Sequence, residues 1–480
     1  MKTIQQLHDA FDRKEFSVEE WTRATLKKAQ ESRLNAFLHF PESRALQQAR
    51  EADQKIQAAG GKVPREQFPL LGVPVAIKDN LVIEGERTTC GSKILENYIP
   101  PYTATSVSRL EQAGAISFSK TNLDEFAMGG SNENSAFGPV LHPTHPDRVP
   151  GGSSGGSAAA VGADLCVASL GSDTGGSIRL PANYCGVVGL KPTYGRISRS
   201  GLVAFASSLD QVGPFAHSVE DVATLMDVMS GWDPLDSTSA RMDSTNTRHS
   251  LQSDWSWKGL KIGVPKEFFQ PGLQSDVEQT LQKVLKEAEK QGAQLVSVSL
   301  PHVQHSVAVY YLVAVSEASS NLSRFDGVRF GVRPPEARDA GDLHTFYRKV
   351  RSRFGAEVKR RIVLGTFALS AGYADQYFSR AAQVRRLIQN DFIQAFQSVD
   401  LILSPVSTGT AYRLGSKTQN PLEMYLNDLF TIPANLAGIP AVSVPCGKDS
   451  EGLSIGAQWM APAFQEDRLL GAAKWVEGLK

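Results

Sequence analysis

The stretch GGSSGGSAAAVGADLCVASLGSDTGGS, residues 151–177, limits how this 480-residue chain can fold more than any other. It places two serine–glycine clusters, Ser153/Ser154 and Ser177, on either side of a run of small apolar residues. A flexible linker would continue as polar low-complexity sequence, whereas AAAVGADLCVASL is suited to burial. A P-loop phosphate cradle ends in GK[ST], and this stretch has no lysine; the dinucleotide pattern G-x-G-x-x-G is also absent. Gly151-x-Ser153-x-Gly155 and Gly152-x-Ser154-x-Gly156 both match a nucleophile elbow, which needs a strand immediately before it. The preceding HPTHPDRVP has three prolines in nine residues and cannot be a central strand. An elbow would also need a downstream histidine, and none of His217, His249, His302, His305 and His344 lies in a motif that stands out. Ser117-Phe-Ser-Lys120 matches S-x-x-K, but the companion motifs S-D-N and K-T-G are missing.

The remaining reading joins three distant pieces. LLGVPVAIKDN is a short apolar run with β-branched residues that ends at Lys78, which predicts a buried strand. Burial disfavours the ammonium form of a lysine, so its pKa falls and the neutral amine becomes available as a base. A serine hydroxyl needs such a base before it can act as a nucleophile. Lys78, Ser153 and Ser177 together supply a base, a relay and a nucleophile. LCVASL reads as a strand, GSDTGG as a loop, and Ser177-Ile-Arg-Leu as a helical turn opening before Pro181. The glycines let the backbone N–H groups of Thr174 to Ser177 converge, as an oxyanion hole requires. The two clusters then form two halves of one active site.

Elsewhere the pattern alternates strand and helix. Ser17-Val-Glu-Glu20 is a capping box, Val18, Trp21 and Ala24 recur at helical spacing, and residues 1–60 predict two or three helices. The stretch 235–256 is polar and reads as a surface excursion inside one domain of 480 residues. GLKIGVPKE predicts a strand. Ser275–Gly292 predicts a helix with a Ser275/Glu278 capping box, a face of Val277, Leu281, Val284 and Ala288, and a glycine stop; QLVSVSL predicts another strand. This order implies an α/β fold with mainly parallel pairing. Ala340–Val399 reads as largely helical, and IPAVSVPCG and LSIGAQWM as two core strands.

Fifty basic against fifty acidic side chains argue against an extensive nucleic-acid face, although a local patch stays open. Cys90, Cys166, Cys185 and Cys446 form no CxxC pair, which predicts buried free thiols in a reducing compartment and no metal site. MKTIQQLHDAFDRKEF has no apolar core and carries acids early, so a soluble cytoplasmic protein is expected.

GGSSGGSAAAV followed by GSDTGGSIRLPANYCGVVGLKPTYG, with VAIKDN upstream, resembles the amidase signature family. TNLDEFAMGGSNENSAFGPV, SRSGLVAFASSLDQVGPFAHSVED, SEASSNLSRFDGVRFG and MYLNDLFTIPANLAGIPAVSVPCG narrow the resemblance to the A subunits of glutamyl-tRNA(Gln)/aspartyl-tRNA(Asn) amidotransferases, over nearly the full chain. The resemblance implies an α/β/α sandwich with a mixed twisted sheet and a glutaminase activity. It implies partner B and C subunits in a heterotrimer, with ATP and Mg used by the partner on mischarged tRNA and no cofactor bound by this chain. It implies Ser177 as nucleophile, Ser153 as a bridging serine after a cis peptide, and Lys78 as base. Thr174, Gly175, Gly176 and Ser177 would supply oxyanion N–H groups. Arg361 would bind the glutamine carboxylate, Asp428 its ammonium, and Tyr310 would wall the pocket. Two departures from the family pattern are His145, where an aromatic residue is more usual, and the loose C-terminal strand LSIGAQWMAP. A stand-alone amidase for another carboxamide would need neither Arg361 nor Asp428, and a non-catalytic scaffold would not need Ser177.

Overall fold

The computed structural model describes residues 1–251, 255–270, 272–418 and 424–479. The N-terminal segment forms three helices, α1 (Ile4–Asp12), α2 (Val18–Gln30) and α3 (Glu42–Ala58). The Ser17/Glu20 capping box opens α2 with both reciprocal bonds made. These helices lie beside a sheet of eleven strands: β1 (Phe37–His39), β2 (Pro74–Lys78), β3 (Ile116–Thr121), β4 (Ala168–Asp173), β5 (Val188–Lys191), β6 (Gln211–Ala216), β7 (Lys261–Pro265), β8 (Gln294–Val298), β9 (Leu401–Pro405), β10 (Ala441–Lys448) and β11 (Ser454–Met460). Their order across the sheet is β1-β3-β2-β4-β6-β5-β10-β11-β9-β7-β8. Neighbouring residues of one strand enter different apolar clusters. Leu401 and Leu403 join one and Ile402 the other; Trp459 joins the first and Met460 the second. Successive side chains of a strand point to opposite faces, so the sheet is covered on both sides. Its helices make it an α/β layered fold.

The expected parallel pairing holds only toward the two ends. β2 runs parallel to β3 and β4, and β7 runs parallel to β8 and β9. The centre, from β4 through β6, β5, β10 and β11 to β9, is antiparallel, so the sheet is mixed. The link between β10 and β11 shows why: residues 449–453 are too few for a crossover and force a hairpin.

Local expectations elsewhere fare unevenly. The helix Ser275–Lys290 buries Val277, Leu281, Val284 and Ala288 and is followed by Gly292 at φ +101°. Its capping box does not form: Gln274 occupies the N-cap without a side-chain bond, and Ser275 is already helical, its hydroxyl accepting from Gln279. Residues 340–399 are largely helical, including Leu343–Arg351, Ala356–Ala368 and Arg380–Ala395. The excursion after 235 lies at the surface, pinned where Asp233 accepts from Ser198 and Asp236 from the Arg199 N–H; residues 252–254 of it lie outside the described set.

Candidate active site

Lys78 is the last residue of β2, a strand buried at every position. Its neighbour β4 runs parallel, with Ile77 opposite Leu170, so Ser172 arrives beside the lysine. The Lys78 amine is fully buried and, among the described residues, has no carboxylate partner in hydrogen-bond range. Instead Nζ meets three hydroxyls, Ser153 Oγ and Ser154 Oγ at 2.8 Å and Ser172 Oγ at 2.9 Å, with the Ser172 carbonyl at 3.4 Å. Burial pulls its pKa down to about 7 against the opposing charges of Asp124, Asp173 and Asp210. A base of this strength is half neutral near physiological pH.

The first serine cluster reaches the lysine because its glycines permit close approach. The Gly152–Ser153 peptide is cis. A Cβ on Gly156 would stand 2.3 Å from the carbonyl oxygen of Asn122, so a side chain there is excluded by backbone. Helix α4 (Gly155–Gly162) starts immediately after the serines and packs on β4, where Ser157 Oγ donates to the Leu170 carbonyl. The cluster is thus a packed contact, which disposes of the linker reading.

The second cluster leaves β4 as a loop, residues 174–177, and enters helix α5 (Arg179–Cys185). The helix opens two residues before Pro181, as the sequence suggested, and runs on through it; proline is tolerated in a first turn, where no N–H partner is needed. The main chain joins the two clusters, the Ser154 N–H donating to the Ser177 carbonyl at 3.2 Å. Ser177 is 7% exposed, while Ser153, Ser154 and Lys78 are at 0%, so Ser177 is the member of the group that faces outward.

One expected oxyanion donor is already engaged. The Gly176 N–H donates to Asp173 Oδ1 at 2.9 Å, and the Ile178 N–H to Oδ2 at 3.1 Å. The carboxylate gathers these donors because it is buried beside Arg179, which bonds both of its oxygens. Burial alone would raise the Asp173 pKa, but the Arg179 charge and hydrogen bonds outweigh it and hold it at about 2. Gly176 therefore shapes the loop. It sits at φ +145°, with room for no Cβ beside Thr431 Oγ1 at 2.2 Å. The N–H groups of Gly175 and Ser177 make no hydrogen bond to a described residue. Thr174 is held from its side chain, Oγ1 donating to Asp210 Oδ1 at 2.7 Å.

Tyr310, Arg361 and Asp428 converge on this loop. Tyr310 lies on helix Ser306–Asn321, and its ring covers Gly175, where a built Cβ would be 2.7 Å from Cζ. Asp428 is half-buried with its carboxylate turned inward, Oδ1 3.0 Å from the Cβ position of Gly176. That carboxylate accepts no hydrogen bond from a described residue. Burial, then the charge of Asp173, pushes its pKa up to about 8, against the pull of Arg361 and Arg179. Arg361 is buried in an aromatic box of Phe205, Tyr311 and Tyr425, 5.3–5.7 Å from each ring centroid. Its Nε donates to Glu357 Oε1 at 2.8 Å, and Tyr425 donates to the same oxygen at 3.0 Å. Arg360 points to the surface.

Sequence reasoning missed several of these groups. Ser172 and Asn80, whose Nδ2 donates to Ser172 Oγ at 3.0 Å, complete the surroundings of the lysine. Asp124 lies under the cis peptide, accepting from the Asn132 and Asn134 N–H groups, and burial raises its pKa to about 6. Asp210 links the loop to the arginine box by accepting from the Phe205 and Ala206 N–H groups. Glu357 was one helical turn from Arg361, and that i,i+4 spacing was the available signal. The S-x-x-K lysine, Lys120, is bound up with Asp79 at 2.9 Å. A groove of about 600 Å³ lined by Tyr98, Tyr102 and Phe330 contains none of the site residues. Cys90, Cys166 and Cys185 are buried free thiols, and Cys446 is only half-buried because it lies where β10 runs out of the core. Among the described residues no His, Cys, Asp and Glu cluster could hold a metal, and no helix is long and apolar enough to cross a membrane.

The amidase family profile matches residues 20–470. The A subunit of glutamyl-tRNA(Gln) amidotransferase from Thermosynechococcus vestitus is 53% identical over 476 residues, covering 98% of this chain and 97% of that protein. The protein of the same name from Trichormus variabilis is 51% identical over 477 residues, covering 98% and 96%. The crystal structure of the corresponding A subunit from Thermotoga maritima superposes with a TM-score of 0.78 at 39% identity, covering 99% of this chain and 94% of that one.

Proposed function

The chain belongs to the amidase family, and on that premise we propose that it is the glutamine-hydrolysing component of a tRNA-dependent amidotransferase, its A subunit. The relatives that share half of its residues carry that name. Ser177 Oγ attacks the side-chain carbonyl carbon of glutamine. Its proton passes through the Ser153 hydroxyl to the neutral Lys78 amine as the new C–O bond forms. The Gly175 and Ser177 N–H groups receive the oxyanion. On collapse the C–N bond breaks and Lys78 returns the proton through Ser153, so ammonia leaves and a γ-glutamyl ester remains. Water then attacks the ester by the same route, releasing glutamate and restoring Ser177.

Recognition of a free amino acid supports glutamine over other carboxamides. Asp428 offers an inward carboxylate without a protein donor, which suits an α-ammonium. Arg361 keeps its terminal nitrogens free of hydrogen bonds to described residues, which suits an α-carboxylate. This pairing over the Ser177 loop is the observation that carries the reading.

The ammonia is consumed on a partner, the B subunit, which activates Glu-tRNA(Gln), or Asp-tRNA(Asn), with ATP and Mg; a small C subunit completes a cytoplasmic heterotrimer. The test is ammonia release from glutamine by the tagged chain together with the proteins it brings from its own cells. It is run with and without Glu-tRNA and ATP, beside Ser177→Ala. Serine-dependent release stimulated by tRNA and ATP is expected. A chain that comes down alone and leaves glutamine untouched overturns the reading in favour of a stand-alone amidase.

A further inference from the structure

The helix that carries Arg361, Ala356–Ala368, buries the face that holds the Glu357–Arg361 pair and leaves an apolar stripe on the other. Its inner stripe, Val358, Arg361, Gly365 and Ala368, is buried. Its outer stripe leaves Val363 67%, Leu364 48% and Phe367 48% exposed. The chain beyond enlarges the outer patch: Tyr373 and Tyr377 pack on Phe367, with centroids 4.7 and 5.9 Å away, and both are themselves exposed. Contiguous apolar surface of this kind marks an interaction site.

The patch lies in a strongly basic part of a neutral protein. Residues 348–386 hold ten Lys and Arg against two acids, Glu357 and Asp375, while the whole chain carries fifty of each. Lys359, Arg360, Arg380 and Arg386 are exposed. Arg360 pairs with Glu357, and the remaining acid, Asp375, lies at the surface.

We infer that the outer face of this helix, with Phe367, Tyr373 and Tyr377, is the docking surface for a companion protein of the amidotransferase complex, met by a segment that is apolar at its centre and acidic at its rim. The inference rests on the function proposed above. Charge complementarity selects the acidic rim, and the aliphatic centre at Val363 and Leu364 selects a protein partner over RNA, whose phosphates would find no donor there. Docking on the outer face and substrate binding on the inner face would then share one rigid helix.

The test uses the complex of this chain with its companion proteins. Amide hydrogen exchange should slow over 359–377 on assembly in the absence of tRNA. Val363→Glu/Phe367→Glu should weaken assembly at least about 30-fold, the size of a hot-spot loss, without moving the unfolding midpoint of the free chain. Lys359→Glu/Arg380→Glu should weaken it with a reduced salt dependence. Full affinity in the first double variant, with the wild-type complex intact, overturns the docking alone. Protection of 359–377 that appears only when tRNA is added also overturns it, in favour of an RNA surface. A wild-type chain that neither assembles nor releases ammonia from glutamine overturns the functional reading and the docking with it.

Discussion

Lys78 Nζ and Ser153 Oγ stand 2.8 Å apart, although 75 residues separate them in the chain. The lysine is fully buried, and among the described residues its hydrogen-bond partners are hydroxyls and a carbonyl. Such surroundings stabilise an amine better than an ammonium.

A pH dependence follows from this contact. The proposed mechanism needs the neutral amine, and burial lowers its pKa to about 7. The rate constant kcat for glutamine should therefore climb tenfold per pH unit below 7 and level off above it. Lys78→Met should lower kcat by about a thousandfold, within the usual range for loss of a general base, and abolish the pH dependence. A flat profile from pH 6 to 9, with chemistry limiting, would refute a lysine base.

The two serines should fail differently. Ser177→Ala removes the proposed nucleophile, so no γ-glutamyl intermediate should be trapped by hydroxylamine. Ser153→Ala leaves the nucleophile and breaks the proton path; kcat should fall by about 10²–10⁴ with KM little changed. Ammonia release and trapping on both variants check this.

Asp428 should control substrate capture. Burial pushes its pKa up to about 8, so kcat/KM should carry a second rise with pH that kcat lacks. Asp428→Asn should remove that upper transition and raise KM about 100-fold, the size of a lost charged hydrogen bond or two. Parallel profiles of kcat and kcat/KM distinguish the two groups.

Asp173 and Arg179, both at 0% side-chain exposure, should matter to stability before chemistry. Arg179→Met strands a buried carboxylate and should cost about 3–5 kcal/mol, measured by denaturant unfolding. The folded pKa of Asp173, about 2, lies below the ordinary 3.8, so its contribution is complete above that ordinary value and is lost as pH falls through about 2.

Much of the fold was legible where the rule is local. The Ser17/Glu20 capping box and the apolar face of Ser275–Lys290 depend on residues three or four apart, so each can be read within one helix. The Ser275 cap failed because the chain entered the helix one residue earlier, a choice that the preceding loop makes. The mainly parallel sheet failed because pairing direction depends on which strands meet, and the central strands meet across hairpins and long returns.

The parts of the site could be named from the chain alone: a lysine ending an apolar strand, two serine clusters whose small neighbours demand close packing, and the arginine and aspartate supplied by family resemblance. The lysine and the serine clusters follow from residue type and spacing, which survive in one dimension; the arginine and the aspartate rest on the resemblance alone. Folding alone brings Ser154 and Ser172 to the lysine beside Ser153, gives Asp173 the Gly176 N–H of the 174–177 loop, and sets Glu357 and three aromatic rings around Arg361. Hydrogen bonds act over about 3 Å and pKa shifts depend on the local dielectric. Both are set by atoms that the fold brings together from far along the chain.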